Sequence, residues 1–178
     1  MFWNKQNKLH LGCGSNLLSS WVNIDLDAPS ADLHADLTQP LTFSSGSVDY
    51  IFSEHFIEHI SRPQALALLK ECKRVMKPTA KIRISTPDLN WLVQQYGQSR
   101  LTEWADVNWH PQTACQMINE GMRAWGHQFL YDAQELNNVL QEAGFTSIQS
   151  VPYRSSEHKE FLNLECRPWH RELIVEAS

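Results

Sequence analysis

The chain has 178 residues, 42% of them hydrophobic, and carries a net charge of −5. That length builds one well-buried core and falls short of two ordinary domains, and the acidic balance excludes the basic stripe with which proteins grip duplex nucleic acid. The opening MFWNKQNKLHLG lacks the apolar segment of a secretory signal and no stretch approaches the roughly 20 apolar residues of a membrane span, so residues 1–178 are expected to form a single soluble, cytoplasmic domain.

Along the chain, KLHLG (8–12) reads as a short strand closed by glycine. WVNIDLD (21–27) carries Val22, Ile24 and Leu26 at strand alternation, DLHAD (32–36) is a weaker strand, and SVDYIFS (47–53) is rich in β-branched and aromatic residues. Ser61 followed by Gln64 is a capping box with Pro63 in the first turn, and Leu66, Leu69, Cys72, Val75 and Met76 form the apolar stripe of the helix behind it. AKIRISTP (80–87) is the next strand. Residues from about 88 to 127 break this rhythm, with Trp91, Trp104, Trp109, Trp125, His110 and His127, and read as an insertion over the carboxyl ends of the strands, a lid or acceptor pocket. Asp132 with Glu135 caps a helix whose stripe is Leu136, Val139, Leu140 and Ala143, and Gly144 suits its left-handed end. RELIVEA (171–177) is a terminal strand, antiparallel to a neighbour near 147–153.

Three patterns carry chemistry. Gly12 and Gly14 in LHLGCGSN follow a strand directly, where they let the backbone turn sharply and approach a ligand; Asp25, ending the next strand, can accept hydrogen bonds from both ribose hydroxyls of a nucleoside. The third glycine of a dinucleotide fingerprint is missing, and nothing resembles a Tyr-x-x-x-Lys pair, which disfavours a nicotinamide-dependent reductase. His55, Glu58 and His59 spell H-x-x-E-H, a pattern of some zinc peptidases. Here it follows a strand and is cut off by Ser61-Arg62-Pro63, too short a helix to present both histidines on one face, so the peptidase reading fails. Cys13, Cys72, Cys115 and Cys166 form no C-x-x-C pair and are expected as free thiols.

Taken in order, LHLGCGSN, WVNIDLD, HADLTQPLTFSSGSVDYIFSEHFIEHI and LLKECKRVMKPTAKIRISTPDL resemble the class I S-adenosylmethionine-dependent methyltransferases, most closely small bacterial members with a methyltransferase-11-like core. The likeness runs over about residues 8–90, and FLYDAQELNNVLQEAGF matches the family's usual ending. It implies an α/β, Rossmann-like sheet of about seven strands, mostly parallel, with a final antiparallel hairpin and helices on both faces. It also implies S-adenosylmethionine as cofactor. Gly12, Cys13 and Gly14 would line its methionine part, Asp25 would bind the ribose with Leu26 in the same set, Asp36 and Leu37 would flank the adenine, and Ser53 with Glu54 would sit beside the sulfonium. The chain departs from the pattern at His10, where many members carry an acidic residue that holds the cofactor's amino end. The stretch from Gly14 to Asp25 is also short, so the first helix is abbreviated or replaced by a loop, and KPTA (77–80) replaces the common K-P-G-G turn.

At the H-x-x-E-H position, ubiquinone-pathway O-methyltransferases and small-RNA 2′-O-methyltransferases carry an E-x-x-E-H that binds a divalent ion. Here His55 replaces the first glutamate while Glu58 and His59 match. The expectation is catalysis without a metal, with His55, Glu58 and His59 as the set that would hold one. The reaction expected is methyl transfer to a small-molecule acceptor, a hydroxyl oxygen favoured over nitrogen. His59 or His55 is the candidate base beside Glu58, and His127 is a third candidate; His110, His158 and His170 show no partner in the sequence. A non-catalytic S-adenosylmethionine-binding module is the alternative suggested by His10 and the short first helix.

Overall fold

Leu9 and Leu11 bury against one side of a sheet while His10 between them faces the other, the period-two alternation of a strand covered on both faces. In the computed structural model, which describes residues 7–104, 107–168 and 170–178, the same alternation recurs in every central strand. The strands are β1 (Lys8–Leu11), β2 (Val22–Asp25), β3 (Leu33–His34), β4 (Val48–Glu54), β5 (Met76–Pro87), β6 (Ile148–Ser150) and β7 (Glu172–Ala177). Among the described residues they form one seven-stranded sheet in the order β3-β2-β1-β4-β5-β7-β6, with β7 antiparallel to both its neighbours and the remaining pairs parallel.

Helix α1 (Arg62–Val75) begins at Ser61, whose backbone N–H donates to Gln64 Oε1 at 2.9 Å as the capping box requires. Its buried stripe is Ala65, Leu68, Leu69, Cys72 and Val75, which shares Leu69, Cys72 and Val75 with the sequence reading; Leu66 is only half-buried, and Met76 already belongs to β5. Helix α4 (Ala133–Glu142) is capped by Asp132, which accepts the Glu135 N–H at 2.8 Å, and it ends at Gly144 with φ +99°. A cap of this kind is worth about 1 kcal/mol. Leu136, Val139 and Leu140 join the α1 stripe in the main core on one face of the sheet.

The opposite face is covered by the strap joining β6 to β7 from residue 151 to residue 171, which contains, among the described residues, one 3-10 turn at Lys159–Phe161, and by Trp21. Phe161 and Trp21 bury Phe52 there. Beneath the strap lies Arg83, fully buried, bonded to Glu165 and Glu176 and to the carbonyls of Ser155 (2.9 Å) and Pro152 (3.2 Å). Between β1 and β2 the described residues hold turns and no helix, and residues 77–80 form a bulge in β5 between its pairings with Val48 and Tyr50. The insertion folds as α2 (Leu89–Gly97) and α3 (Ala114–Arg123) around a small core of Leu92, Trp104, Trp109 and Met117. Among the described residues no helix is long and apolar enough to cross a membrane.

Candidate active site

Gly12 follows β1, Asp25 ends β2 and Glu54 ends β4, so all three stand at the carboxyl ends of parallel strands, where open α/β sheets bind ligands. A cavity of about 660 Å³ opens there, within the range of small-molecule and cofactor sites. Gly12 has φ +66°, and a Cβ on it would lie 2.5 Å from the Phe56 ring. The glycine is required twice, by its backbone and by its neighbour. Gly14, φ +50°, donates its N–H to Asp25 Oδ2 at 2.9 Å, while Asp25 Oδ1 accepts from Asp27 and Ala28, each at 3.0 Å. Burial pushes the Asp25 carboxyl up, but these N–H groups outweigh it and hold the pKa below the ordinary value, so the group presents a carboxylate at the cavity wall.

Of the residues named from sequence, Gly12, Cys13, Gly14, Asp25, Leu26, Asp36, Leu37, Glu54, His55 and His59 line this cavity. Leu26 is 57% exposed, an apolar side chain at the mouth that a ligand would cover. Ser53 lies on the other side of β4, toward Leu68, Leu69 and Cys72 of α1. Glu58 is fully buried behind the wall and accepts the Thr86 hydroxyl at 3.0 Å.

Residues the sequence did not single out complete the site. Cys166 donates its N–H to Glu54 Oε1 (2.9 Å) and its thiol to Oε2 (3.2 Å), and Cys166 and Arg167 both line the cavity from the strap. Burial raises the Glu54 pKa despite these two donors. His170, without a partner in the sequence reading, stacks on Trp104 at 4.2 Å and meets the His55 ring edge-on at 4.7 Å. The signal for these contacts lies in non-local packing of the strap, which has no periodicity to read.

His10 lines the cavity, buried against Phe52, with Nδ1 3.1 Å from Asn23 Oδ1. Asn23 Oδ1 also accepts the Leu18 N–H, so it is the oxygen and His10 Nδ1 carries the proton, leaving Nε2 with its lone pair. Burial lowers the His10 pKa to about 4. Because the unfolded chain takes up this proton near pH 6.5 and the folded one only near 4, the protein loses about 3 kcal/mol of stability as pH falls through that window. His10→Phe, which leaves Asn23 Oδ1 satisfied by Leu18, is expected to remove the His10 share of the acid limb in urea titrations at pH 4.5 and 6.5, leaving the share of His59, whose pKa is lowered likewise; an unchanged limb would contradict the assignment.

His55 is held at φ +49°, its Nδ1 3.4 Å from Glu58 Oε1 and its Nε2 3.2 Å from Glu172 Oε1. His59 lines the cavity with its ring 4.9 Å from that of His127 and its Nε2 4.0 Å from Glu58 Oε1. Burial first, then the neighbouring His127 and Arg167, lower the His59 pKa to about 4, while burial raises Glu58 to about 8. Donor atoms of Glu58, His59 and His127 lie within 4.8 Å of one another; His55 is not in that group.

This strand order, with a cofactor-sized cavity across the carboxyl ends of β1, β2 and β4, defines the class I methyltransferase fold. Residues 6–150 match the methyltransferase domain family, so the chain belongs to it and is a methyltransferase. Among solved structures it is similar to a SAM-dependent methyltransferase from Archaeoglobus fulgidus (13% identity, TM-score 0.60, 97% of this chain and 85% of that one). It is similar also to an S-adenosylmethionine-dependent methyltransferase from Mesorhizobium loti (14%, 0.55, 96% and 89%). A third likeness is to Haemonchus contortus phosphoethanolamine N-methyltransferase 2, solved with S-adenosyl-L-methionine (18%, 0.55), where 84% of this chain covers 35% of that one. At these identities the likeness is one of fold. No curated protein matches the sequence.

Proposed function

We propose that the enzyme methylates a hydroxyl oxygen of a small molecule, admitted through a second cavity under the insertion, with His59 taking the hydroxyl proton. The observation that carries this is a shared wall: the second cavity, about 160 Å³, and the cofactor cavity have His55, His59 and Arg167 in common. Gly12, Cys13 and Gly14 would line the methionine part of the cofactor, Asp25 and Leu26 the ribose, Asp36 and Leu37 the adenine, with Glu54 toward the sulfonium. His10 offers its Nε2 lone pair to the cofactor's amino end in place of a carboxylate. The cofactor supplies a sulfonium-activated methyl group; the acceptor oxygen bonds the methyl carbon as the carbon–sulfur pair leaves on sulfur. The chain's share is positioning and proton removal, and the insertion 88–127 closes the acceptor side.

The test is release of S-adenosylhomocysteine with a panel of hydroxyl acceptors. With an accepted substrate, His59→Ala is expected to lower kcat about 100-fold, the usual scale of a lost general base. In the parent enzyme kcat/KM is expected to stay level from pH 5.5 to 7.5 and to fall only toward pH 4, since His59 stays unprotonated down to about 4. A limb centred near pH 6.5, or full activity of His59→Ala, would assign the proton to another group.

A second reading has its own support. Glu58 Oε1 is buried with no hydrogen-bond partner among the described residues. His127 Nδ1 lies 3.0 Å from the Gly121 carbonyl, so Nδ1 carries the proton and Nε2 keeps its lone pair. Both His59 and His127 are pushed toward the neutral form that binds metals. Glu58, His59 and His127 therefore fit a divalent transition metal, which would supply Lewis acidity toward an acceptor oxygen. Calorimetry of chelator-treated protein with zinc or manganese is expected to show one site that Glu58→Gln removes; no binding by the parent protein would end this reading.

A further inference from the structure

The second cavity carries information about what it accepts. Its volume of about 160 Å³ is close to the roughly 150 Å³ that admits a benzene ring. Trp104 lines it and is buried, yet its indole Nε1–H has no acceptor among the described residues. A buried donor left without an acceptor costs about 1–3 kcal/mol, so an oxygen brought by a ligand would recover that loss. Trp125 stands opposite, 5.5 Å from Trp104 between ring centroids, with φ +56°, a conformation strained for so bulky a residue. The strain holds out an indole that is still 39% exposed. The wall is completed in part by Arg167, and among the described residues it contains no carboxylate.

Two occupants suit stacked indoles: a flat ring, or a cation drawn to the aromatic faces. The electrostatics separate them. Arg167 lines the cavity and, among the described residues, no carboxylate does, so the fixed charge at its wall is positive. An ammonium would enter against it, whereas an anion would be drawn in.

We propose that the acceptor is a single-ring hydroxy-aromatic acid, its ring against Trp125 and its acidic oxygens on the Trp104 indole N–H and the Arg167 guanidinium. This rests on the reading of the larger cavity as the cofactor site.

The test is calorimetric titration of chelator-treated protein loaded with S-adenosylhomocysteine, using three probes with one ring each: 4-hydroxybenzoate, 4-methylphenol and phenyltrimethylammonium. The acid is expected to bind at least tenfold more tightly than the neutral phenol, and the cation more weakly than both. Trp125 does not line the cofactor cavity, so Trp125→Ala is expected to lose at least tenfold for the acid while keeping its affinity for S-adenosylhomocysteine; Arg167→Gln is expected to erase the acid's advantage over the phenol. A cation that binds as tightly as the acid, an acid that fails to bind the loaded protein, or an acid indifferent to both substitutions would overturn the proposal. Failure of S-adenosylhomocysteine itself to bind would overturn the cofactor reading, and this one with it.

Discussion

Gly12→Val is expected to weaken S-adenosylhomocysteine binding by about 100-fold or more, some 2.7 kcal/mol. Two costs act together. A β-branched residue must adopt φ +66°, which L side chains avoid, and its Cβ would fall 2.5 Å from the Phe56 ring. Neither is easily relieved. The Gly12 and Cys13 N–H groups are both bonded to the Ile24 carbonyl, at 2.9 and 3.1 Å, so the backbone cannot swing away without breaking the tie to β2. Phe56 lines the cavity and leads directly into the 3-10 turn Ile57–His59, so displacing it moves Glu58 and His59 as well. Gly14→Ala makes a sharp control, because Gly14 has positive φ but open space around its absent Cβ. It is expected to cost only the backbone strain, about 1 kcal/mol or roughly fivefold in affinity. Calorimetric titration of both variants decides the matter: equal losses would mean that Phe56 yields freely and that backbone conformation alone explains the glycines.

What could be read from sequence was what local patterns encode. That Gly12, Gly14 and Asp25 would come together at one cavity was legible because each is tied to the end of a strand. Asp132 and Ser61 were legible because caps are short-range devices. Ser53 and Glu54 part company because neighbours on a strand face opposite ways: Glu54 lines the large cavity and Ser53 faces α1. In the α1 stripe Leu69, Cys72 and Val75 were legible, while Met76 lies just past the helix end, at the start of β5. The strap was not legible at all. Cys166 and Arg167 have no periodic context, and what carries them to the large cavity is a set of contacts between residues 69 to 112 positions apart in the chain. Likewise the tryptophans of the insertion could be seen to cluster, but not that Trp104 and Trp125, rather than Trp91 and Trp109, line the smaller cavity.

The second large effect follows from the strap's anchor. Arg83→Leu is expected to lower unfolding stability by about 3–5 kcal/mol, the cost of removing one member of a buried ionic group. The guanidinium lies between Glu165 of the strap and Glu176 of β7, directly opposite it in the sheet register, and it also takes the carbonyls of Ser155 and Pro152. Without it two buried carboxylates face each other with no cation between them, and two carbonyls lose a donor. The Arg154 N–H stays on Glu165 at 3.0 Å but cannot replace a charge. Because Cys166 follows Glu165 directly and supplies both donors to Glu54, loosening the strap is expected to weaken cofactor binding too, although Arg83 does not line the cavity. A triple substitution, Arg83→Leu with Glu165→Leu and Glu176→Leu, tests the reason rather than the number. If the loss comes from stranded charge, the triple variant recovers much of it, since apolar replacement of a whole buried ionic cluster is often neutral or better. Urea unfolding of the single and triple variants measures both; a single variant within about 1 kcal/mol of the parent would mean that the apolar contacts of Phe161 and Trp21, and not the ionic group, hold the strap to the sheet.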